Sequence, residues 1–548
     1  MRRFATACAI ALSAMGTPVD SNAANITREA EAVGRRFPDP KVSFTTPGFR
    51  PGREDFTSHA EALAFLDALV RDSPHARLEI LGASQRGLPL PLLLLTASGR
   101  IDPRLPTVLI VGQQHGNEPA GGEAALVLAQ QLAGPRARLL RRVNVLIIPR
   151  ANPDGANAFT RTSANGLDVN RDHLLLNTPE ARAIALAVRM YKPQVMLDLH
   201  EFTVAGRWLE KFGAVMKYDA LLQPATVGNL DAELADHAQR DYVERIHALL
   251  AANGLTSFAY HTTGSDGSQD KTVSMGGVQP DTGRNVGGLR PAISLLIEAR
   301  GVGIGRAHFL RRVHTQVLAA NAIIKIAAKQ GRFLIHLVQK AQARARQSSC
   351  EGNSVIEAQL MPTRRRLTFL DATTGQDLSI EVDWRAASPL KLVKSRSRPC
   401  GYLLSSNQAA AIERLQLLGV ELHTVVEAHA WRIERYLVTR ADDVLRQDAR
   451  GAIEDNQSVR KIEIRTEPDS QVVPPGTVYV SLAQPLAPLI MAALEPDSQN
   501  SFVSNRLLDL STGELRRVLV KPSSAAIAGL IDARQNDPPW KVACSKAP

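Results

Sequence analysis

The stretch TVLIVGQQHGNEPAGGEAALVLAQQLA, residues 107–133, decides the fold of this chain. Residues 107–111 form an uninterrupted apolar run, which is typical of a strand buried on both faces of a sheet. A polar turn follows, and residues 118–132 carry the pattern of a helix. A buried strand, a polar turn and a helix in this order predict an α/β unit with the turn at the carboxyl end of the strand.

The same alternation continues along the chain. Buried strands are predicted at residues 143–148, 194–199 and 292–297, and helices at residues 58–71, 179–191 and 232–252. Strands that alternate with helices favour a sheet whose faces are covered by those helices. We therefore predict an α/β fold with a largely parallel or mixed central sheet.

A second region is predicted after a long helix that begins near Arg306. The polar segment 341–354, rich in Arg, Gln and Ser, is the predicted boundary. Beyond it, two apolar runs flank the sequence DATTG at residues 371–375, which indicates a hairpin, and residues 408–418 indicate a helix. We expect residues 25–340 to form a catalytic domain and residues 355–548 to form a smaller α+β or β-rich domain without a catalytic cluster.

The N-terminus, residues 1–24, has the layout of a signal peptide. Arg2 and Arg3 precede an apolar run at residues 4–15, and small and polar residues follow up to Ala24. The run is too short to span a bilayer comfortably, and no later segment reaches spanning length. We expect cleavage after Ala23 or Ala24, and therefore an exported protein, periplasmic or extracellular, with no transmembrane anchor.

Cysteine usage leaves the disulfide pairing open. Cys8 would leave with the signal peptide, so Cys350, Cys400 and Cys544 would remain, an odd number for an oxidising compartment. A disulfide between Cys350 and Cys400 and a set of three unpaired thiols are both compatible with the sequence.

The chain is basic, with a formal net charge of +11. Its arginines are scattered, aromatic residues make up only 5%, and no recognition motif accompanies them, so no specific nucleic-acid partner is expected. Solubility and loose attraction to anionic envelope material account for such a charge. The sequence does not determine the oligomeric state.

Two strand ends carry residue types that bind metal ions. His115 and Glu118 lie in the turn after residues 107–111, and Gly116 between them allows a sharp bend. A second buried strand delivers His200 at its polar carboxyl end. Either element alone is more often a surface pair or a structural histidine, but two imidazoles and a carboxylate together form the ligand set of many catalytic zinc sites. We predict that one Zn²⁺ ion binds here as the cofactor.

Three further polar residues fit hydrolysis at such a site. Glu298 ends another buried strand, and a carboxylate beside a metal-bound water can accept its proton and pass it to a leaving amine. Arg161 can stabilise charge that develops on oxygen, and Arg171 offers two parallel donors that fit a carboxylate. Surface salt bridges are the alternative role of both arginines.

Residues 58–317 resemble the zinc carboxypeptidase family in four ordered motifs: H-x-x-E at 115–118, NPDG at 152–155, D-x-N-R at 168–171 and the late-strand glutamate. The resemblance implies an eight-stranded mixed sheet flanked by helices. It also implies the following roles: His115, Glu118 and His200 as zinc ligands, Glu298 as the catalytic glutamate, Arg161 at the oxyanion, Asn170 and Arg171 at the substrate's C-terminal carboxylate, and Asp168 as the acid that orients His115.

The sequence departs from digestive members of that family around the specificity pocket. Those members carry a mobile tyrosine shortly before the catalytic glutamate, whereas residues 271–290 contain none, and Tyr260 lies farther upstream. Arg284 in this segment has two interpretations. It favours an acidic group of the substrate, or it only pairs with Asp281.

The preferred interpretation is an exported zinc-dependent peptidase that releases C-terminal residues from peptides or cell-wall peptide stems. A zinc deacylase that resembles the succinylglutamate desuccinylase and aspartoacylase branch is an alternative, because it shares H-x-x-E and the Asn–Arg pair. The NPDG motif and the predicted export favour the peptidase. From a different class, a non-catalytic envelope protein that binds peptides would keep the fold without turnover.

Overall fold

The computed structural model describes residues 26–264, 270–453, 457–510, 513–522, 527 and 530–532. The predicted signal peptide, with Cys8, and the third remaining cysteine, Cys544, lie outside the described residues.

The described chain contains both helices and strands throughout. Its α-helices are α1 (Glu31–Gly34), α2 (His59–Asp72), α3 (Pro119–Ala133), α4 (Pro153–Ala158), α5 (Pro179–Tyr191), α6 (Arg207–Phe212), α7 (Ala232–His237), α8 (Glu244–Ala252), α9 (Gly283–Leu289), α10 (Phe309–Gln330), α11 (Arg332–Gln347), α12 (Ala409–Leu417) and α13 (Ala487–Leu494). Short 3₁₀ helices cover Pro47–Phe49, Ala137–Arg141 and Val169–Arg171, and a π-helical segment, Ala238–Val243, joins α7 to α8.

The strands fall into an N-terminal and a C-terminal group. Those before α11 are β1 (Ala76–Ala83), β2 (Pro89–Leu95), β3 (Thr107–Gly112), β4 (Asn144–Ile148), β5 (Val195–Thr203), β6 (Ala214–Val215), β7 (Ala220–Pro224), β8 (Ser257–Ala259), β9 (His261–Thr262), β10 (Thr272–Met275) and β11 (Ile293–Val302). Those after it are β12 (Asn353–Asp371), β13 (Asp377–Ser397), β14 (Gly401–Leu404), β15 (His423–Val425), β16 (His429–Leu445), β17 (Gln447–Asp448), β18 (Gly451–Ala452), β19 (Ser458–Val473), β20 (Val478–Ser481), β21 (Leu515–Val518) and β22 (Leu530–Asp532).

The central sheet has eight strands in the order β1-β2-β4-β3-β5-β11-β7-β8. Its middle strands β4, β3, β5 and β11 run parallel, whereas β1, β2 and β7 pair with their inner neighbours in the antiparallel sense. The middle strands are apolar and buried over most of their length, as expected for strands covered on both faces. The predicted α/β fold with a mixed sheet flanked by helices is therefore confirmed.

The predicted helices of this region are present with small differences at their ends. Helix α5 occupies the predicted residues, and α2 begins after Ser58, whose side chain forms a capping box with Glu61. The predicted helix 232–252 is built from α7, the π-helical segment and α8. Helix α3 packs on β3 and β5, and a Cβ on its Gly121 would lie 2.7 Å from the Leu199 carbonyl oxygen. Glycine is therefore needed for this close approach.

The C-terminal region is rich in strands, as predicted. The DATTG sequence is the turn of a long hairpin between β12 and β13, in which Phe369 pairs with Leu378. Strand β13 pairs with β10, and β12 pairs with β6, so this five-stranded sheet contains strands from both sides of the predicted boundary. A seven-stranded sheet in the order β19-β16-β21-β14-β20-β15-β22 follows. Helix α11 continues to Gln347, so much of the predicted boundary segment is helical.

The C-terminal region shares a hydrophobic core with the central sheet. One cluster of buried residues includes Leu92 of β2, Leu186 of α5, Tyr402 of β14 and Leu489 of α13. The opposite face of the sheet is covered by α2, α3 and α10. The domain boundary at residues 340–355 stays a prediction. The regions on its two sides share one cluster of buried side chains.

Cys350 and Cys400 form a disulfide, with Cα atoms 4.2 Å apart, so the first of the two possibilities left open by the sequence is the one observed. It links the segment after α11 to the start of β14. None of the helices in the described part of the chain combines the length and apolar character needed to cross a membrane.

Strands β16 and β19 form a long antiparallel ribbon. We call residues 446–453, which connect to the far end of this ribbon and contain β17 and β18, the ribbon tip. Strand β17 pairs with β18 within the tip, through Asp448 and Gly451. The tip does not lie in solvent: Arg446 donates to Asp281 Oδ2 at 2.5 Å, and Asp281 lies just before α9.

Candidate active site

Three neighbouring strands bring the predicted site residues to one edge of the central sheet. Because β3, β5 and β11 are parallel, their carboxyl ends meet at the same edge. Glu298 of β11 is paired with His200 of β5 in the strand register, and His115 follows the end of β3. Residues far apart in sequence are therefore neighbours here.

The turn after β3 is shaped by two backbone features. Gln113 has a φ of 51°, so the left-handed residue of the turn precedes Gly116, where the sequence suggested a sharp bend. A Cβ on Gly116 would lie 1.9 Å from the carbonyl carbon of Gly155, which leaves room only for glycine. Gly155 belongs to the NPDG sequence, so the H-x-x-E and NPDG motifs pack directly against each other.

His115, Glu118 and His200 converge on one point and are all buried. The Nδ1 atoms of the two histidines are 3.0 Å apart. Glu118 places Oε1 2.8 Å from His115 Nδ1 and Oε2 2.8 Å from His200 Nδ1. The predicted ligand set is therefore assembled as a compact group of nitrogen and oxygen atoms.

The chemistry of these atoms fits a metal ion. His115 Nε2 lies 3.0 Å from Asp168 Oδ1, and His200 Nε2 lies 2.9 Å from Asp198 Oδ2. In the neutral imidazoles, carboxylates at these positions favour the ring proton on Nε2, which leaves both Nδ1 atoms free to bind a cation. Two imidazoles with a carboxylate are a ligand set that suits zinc.

The charges of the buried residues in this cluster strongly affect one another's pKa values. Burial raises the pKa of Glu118, but the neighbouring His115 and His200 outweigh it and hold that pKa well below its usual range. When no ion is bound, protons on the imidazoles and the nearby Arg161 guanidinium, 3.1 Å from His115 Nδ1, offset the charge of Glu118. Burial likewise opposes ionisation of Asp168, whereas Arg161 and His115 lower its pKa. Both carboxylates are therefore anionic, which is the state needed to bind a cation and to orient an imidazole.

Glu298 lies in a different electrostatic environment. Burial, followed by the negative charge of Glu118, raises its pKa to about 7. Tyr260 lines the same cavity, and burial together with Glu298 raises the pKa of its hydroxyl to about 12. Tyr260, between β8 and β9, therefore lies in the cavity wall, although residues 271–290 contain no tyrosine.

Arg161 is held against the metal-binding cluster. Its Nε and Nη2 donate to Asp168 Oδ2 at 3.1 and 2.9 Å, and its Nη1 lies 3.1 Å from His115 Nδ1. Asp168 therefore fixes both the imidazole of His115 and the guanidinium of Arg161. A fixed guanidinium next to the metal-binding atoms is available to a negatively charged oxygen of a bound substrate.

Asn170 and Arg171 lie in the 3₁₀ turn that Asp168 caps. Asn170 Oδ1 accepts a hydrogen bond from the Gly283 backbone at 2.8 Å, so its amide orientation is defined. Arg171 donates Nη1 to the Asn170 carbonyl at 2.7 Å, and its Nη2 is in contact with the carboxylate of Asp448. Both residues line the cavity, but Arg171 already has an acidic partner.

The ribbon tip supplies residues that the sequence did not identify. Asp448 and Arg450 line the cavity together with Arg171, so the C-terminal region, in which the sequence indicated no catalytic cluster, forms part of the cavity wall. Nothing in the sequence indicated that Asp448 and Arg450 belong to the site, because 277 positions separate Arg171 from Asp448 and no local motif connects them. The feature that relates them is the long ribbon of β16 and β19, whose end projects far enough to bring Asp448 to Arg171.

The cavity has a volume of about 420 Å³ and contains Arg284 in its wall. Asp281, the alternative partner expected for this arginine, instead accepts hydrogen bonds from Arg446 at 2.5 Å and Asn500 at 2.7 Å. Arg284 donates to the Gly277 carbonyl at 2.7 Å and to Thr226 Oγ1 at 3.1 Å. The predicted Arg284–Asp281 pair is therefore not formed, and Arg284 faces the cavity.

Two histidines and a carboxylate that could hold a metal ion, beside a further buried carboxylate, are the arrangement that metal-dependent hydrolases use. Residues 62–270 match the sequence model of the family described as Zinc carboxypeptidase. Carboxypeptidase 2 of Trichophyton rubrum is 28% identical over 486 residues, which cover 86% of this chain and 89% of that protein. Residues 62–270 therefore form a zinc carboxypeptidase domain, and the relatives that match over most of the chain support a metallocarboxypeptidase.

Two further relatives match over shorter lengths. Carboxypeptidase SOL1 of Arabidopsis thaliana is 31% identical over 172 residues, covering 28% of this chain and 35% of that protein. Among solved structures, a metallo-carboxypeptidase from Burkholderia cenocepacia aligns with a TM-score of 0.37 and 20% identity, over 49% of this chain and 69% of that one.

Proposed function

We propose that this protein is an exported carboxypeptidase that hydrolyses the last peptide bond of peptides, cell-wall peptide stems among them. The observation that carries the proposal is the register of β5 and β11, which places Glu298 beside His200 at the edge of a cavity lined by arginines. His115, Glu118 and His200 would hold one Zn²⁺ ion, in keeping with the zinc-binding character of the family.

When bound, zinc polarises the scissile carbonyl and acidifies the attacking water. Glu298 accepts the proton of that water and delivers it to the leaving amine. When no metal is bound, burial raises its pKa to about 7, and a carboxylate with a raised pKa is better able to accept a proton and pass it on. The buried position of Glu298 keeps bulk water from competing for the proton.

The arginines supply the remaining positive charge. Arg161, held by Asp168, stabilises the negative charge that develops on the carbonyl oxygen. Asn170 and Arg171 contact the terminal carboxylate of the substrate, which positions the last peptide bond in front of Glu298. Recognition of a free carboxylate makes the enzyme cleave at chain ends.

Arg284 gives the cavity a preference for acidic C-terminal residues. Its side chain is buried, and no acidic group of the described residues lies within ion-pair distance of it. Burial lowers its pKa to about 10, and the attraction of Tyr260, Glu298 and Asp198 does not outweigh this effect. A glutamate or aspartate side chain of the substrate would provide the missing counter-charge, which makes acidic ends better ligands than apolar ones.

Export rests on the N-terminal sequence and on the disulfide. Residues 1–24 have the composition of a signal peptide, and the Cys350–Cys400 bond is typical of an oxidising compartment. Both features favour a periplasmic or extracellular location.

The test is release of amino acids from peptides with acidic, basic, apolar and amidated C-termini. Wild-type protein should release only free-acid termini, and both a zinc chelator and the Glu298→Gln substitution should abolish release. Glu381→Gln, on the exposed surface of the β12–β13 hairpin, is the matched control and should keep full activity. Cleavage of N-acyl amino acids without peptide hydrolysis would instead support the deacylase, and binding without any turnover would support the envelope binding protein.

A further inference from the structure

The ribbon tip is anchored to the rim of the cavity from several directions. Arg446 donates to Asp281 at 2.5 Å and also contacts the backbone carbonyl of Arg171. On the other side, Arg207 donates to the Arg450 carbonyl at 3.0 Å. These contacts come from different elements, so the tip occupies a defined position over the cavity.

Asp448 lies between two arginines. It contacts Arg171 Nη2 on one side, and on the other its Oδ2 accepts hydrogen bonds from Arg450 Nε at 3.1 Å and Nη2 at 2.8 Å. Only 5% of the Asp448 side chain is exposed. Separating this buried carboxylate from its two guanidinium partners is strongly unfavourable, because the two positive charges would then face each other without a counter-charge.

Arg450 also lies 3.9 Å from Asp168, a carboxylate that Arg161 contacts as well. Counted together, three guanidinium groups and two carboxylates keep one net positive charge here, namely those of Arg161, Arg171, Arg450, Asp168 and Asp448. Arg450 is 25% exposed and lines the cavity, whereas Arg171 is 12% exposed. The Arg171 Nε atom is buried and has no hydrogen-bond partner among the described residues. An incoming carboxylate therefore meets Arg450, the more exposed of the two guanidinium groups, with Arg171 beside it, while Asp448 stays in place.

Building on the function proposed above, we propose that Arg450 binds the C-terminal carboxylate of the substrate together with Arg171. Asp448 is the positioning residue that holds the two guanidinium groups. The C-terminal region would thus complete the substrate site of the catalytic sheet. The opposite model, in which Asp448 is a plug that a substrate must displace, requires breaking the buried ion pairs at each turnover.

The test measures binding, so it does not depend on turnover. In the Glu298→Gln background, calorimetry compares an N-acetylated dipeptide carrying a free C-terminal acid with its C-terminal amide. Adding Arg450→Gln should weaken binding of the acid by about 10-fold or more and leave the amide unchanged, since a charge-assisted hydrogen bond is lost. Arg450→Lys should restore part of the acid affinity. The control is Arg465→Gln, an arginine of β19 that is 68% exposed.

Asp448→Asn separates the two models. If Asp448 positions both arginines, this variant binds the acid more weakly, and in the Glu298 enzyme it raises KM more than it lowers kcat. Tighter binding of the acid, or a lower KM, would show that Asp448 is a plug and overturn the inference. Unchanged acid affinity in Arg450→Gln would overturn it as well, whereas a wild-type enzyme that hydrolyses no peptide would refute only the proposed function.

Discussion

At the scale of single residues, Asp168 holds two other site residues, His115 and Arg161, in place. It lies 3.0 Å from His115 Nε2 and accepts two hydrogen bonds from Arg161. Asp168→Asn should therefore lower zinc affinity by roughly 10- to 100-fold and reduce kcat, because the imidazole loses its orienting carboxylate. Competition with a chromophoric chelator measures the affinity.

Asp383→Asn is a suitable control for this change, because Asp383 is 57% exposed on β13. Equal zinc affinity in Asp168→Asn and the control would show that the carboxylate does not orient His115.

Arg284 allows a prediction with two independent readouts. Arg284→Met should reduce the preference for acidic over apolar C-terminal residues, measured as a ratio of kcat/KM values, by about 10-fold or more. It should also leave the free energy of unfolding unchanged or raise it by about 1 kcal/mol, since a buried charge without a counter-ion is removed. Urea denaturation measures the second effect.

Arg290→Met is the matched control for Arg284. Arg290 lies directly after α9 and donates to the Leu418 carbonyl at 2.6 Å, away from the cavity. A loss of acidic preference in both variants would indicate a general disturbance of α9 and contradict the assigned role of Arg284.

The convergence of His115, Glu118 and His200 could be predicted from the sequence because they lie at or directly after the ends of buried strands, and the ends of parallel strands meet at one edge of a sheet. Asp448 and Arg450 could not be predicted in the same way. Their position depends on how far the ribbon of β16 and β19 extends and on which surface it meets, and both are properties of tertiary packing.

At the scale of elements, α11 shows how composition misled the prediction. Residues 341–354 are rich in Arg, Gln and Ser, which favoured a linker, yet α11 continues to Gln347. Its buried residues Leu334, Leu337, Val338 and Ala341 follow the i, i+3, i+4, i+7 spacing of an amphipathic helix. The periodic spacing of the apolar residues therefore indicated the helix correctly, and the polar residues form the exposed face of α11.

The start of α2 gives a prediction at the same scale. The Ser58 hydroxyl accepts a hydrogen bond from the Glu61 backbone N–H at 3.2 Å, and Glu61 accepts one from the Ser58 N–H at 2.8 Å. Ser58→Ala should lower the free energy of unfolding by about 1 kcal/mol, because an N-terminal N–H of the helix loses its partner. Urea denaturation beside the exposed-strand control Ser379→Ala tests this, and an equal loss in both variants would contradict it.

At the scale of the whole molecule, the two regions are joined by a continuous core and by the site itself. Buried residues of β2 and α5 share a cluster with residues of β14 and α13, and the ribbon tip reaches the catalytic cavity. The sequence predicted that both regions exist, since strand and helix patterns are local. It could not predict their docking, because apolar faces indicate burial without identifying the surface that covers them.

The stability of the whole molecule should depend on pH through His59. This side chain is only 4% exposed, and burial, followed by the charge of Arg150, lowers its pKa from 6.5 to about 4. The unfolded chain therefore binds a proton at a higher pH than the folded chain. The contribution of His59 is fully present above pH 6.5 and is lost as the pH falls toward 4, by up to about 3 kcal/mol.

His59→Leu tests this dependence, because leucine fills the site without titrating. Between pH 7 and pH 4 the free energy of unfolding of the variant should fall less than that of the wild type, by up to about 3 kcal/mol. His336→Leu, at an exposed position on α11, is the control for the exchange of a histidine for leucine. Identical slopes for His59→Leu and the wild type would mean that His59 is charged inside the folded protein, and acid sensitivity would then have to come from the carboxylates.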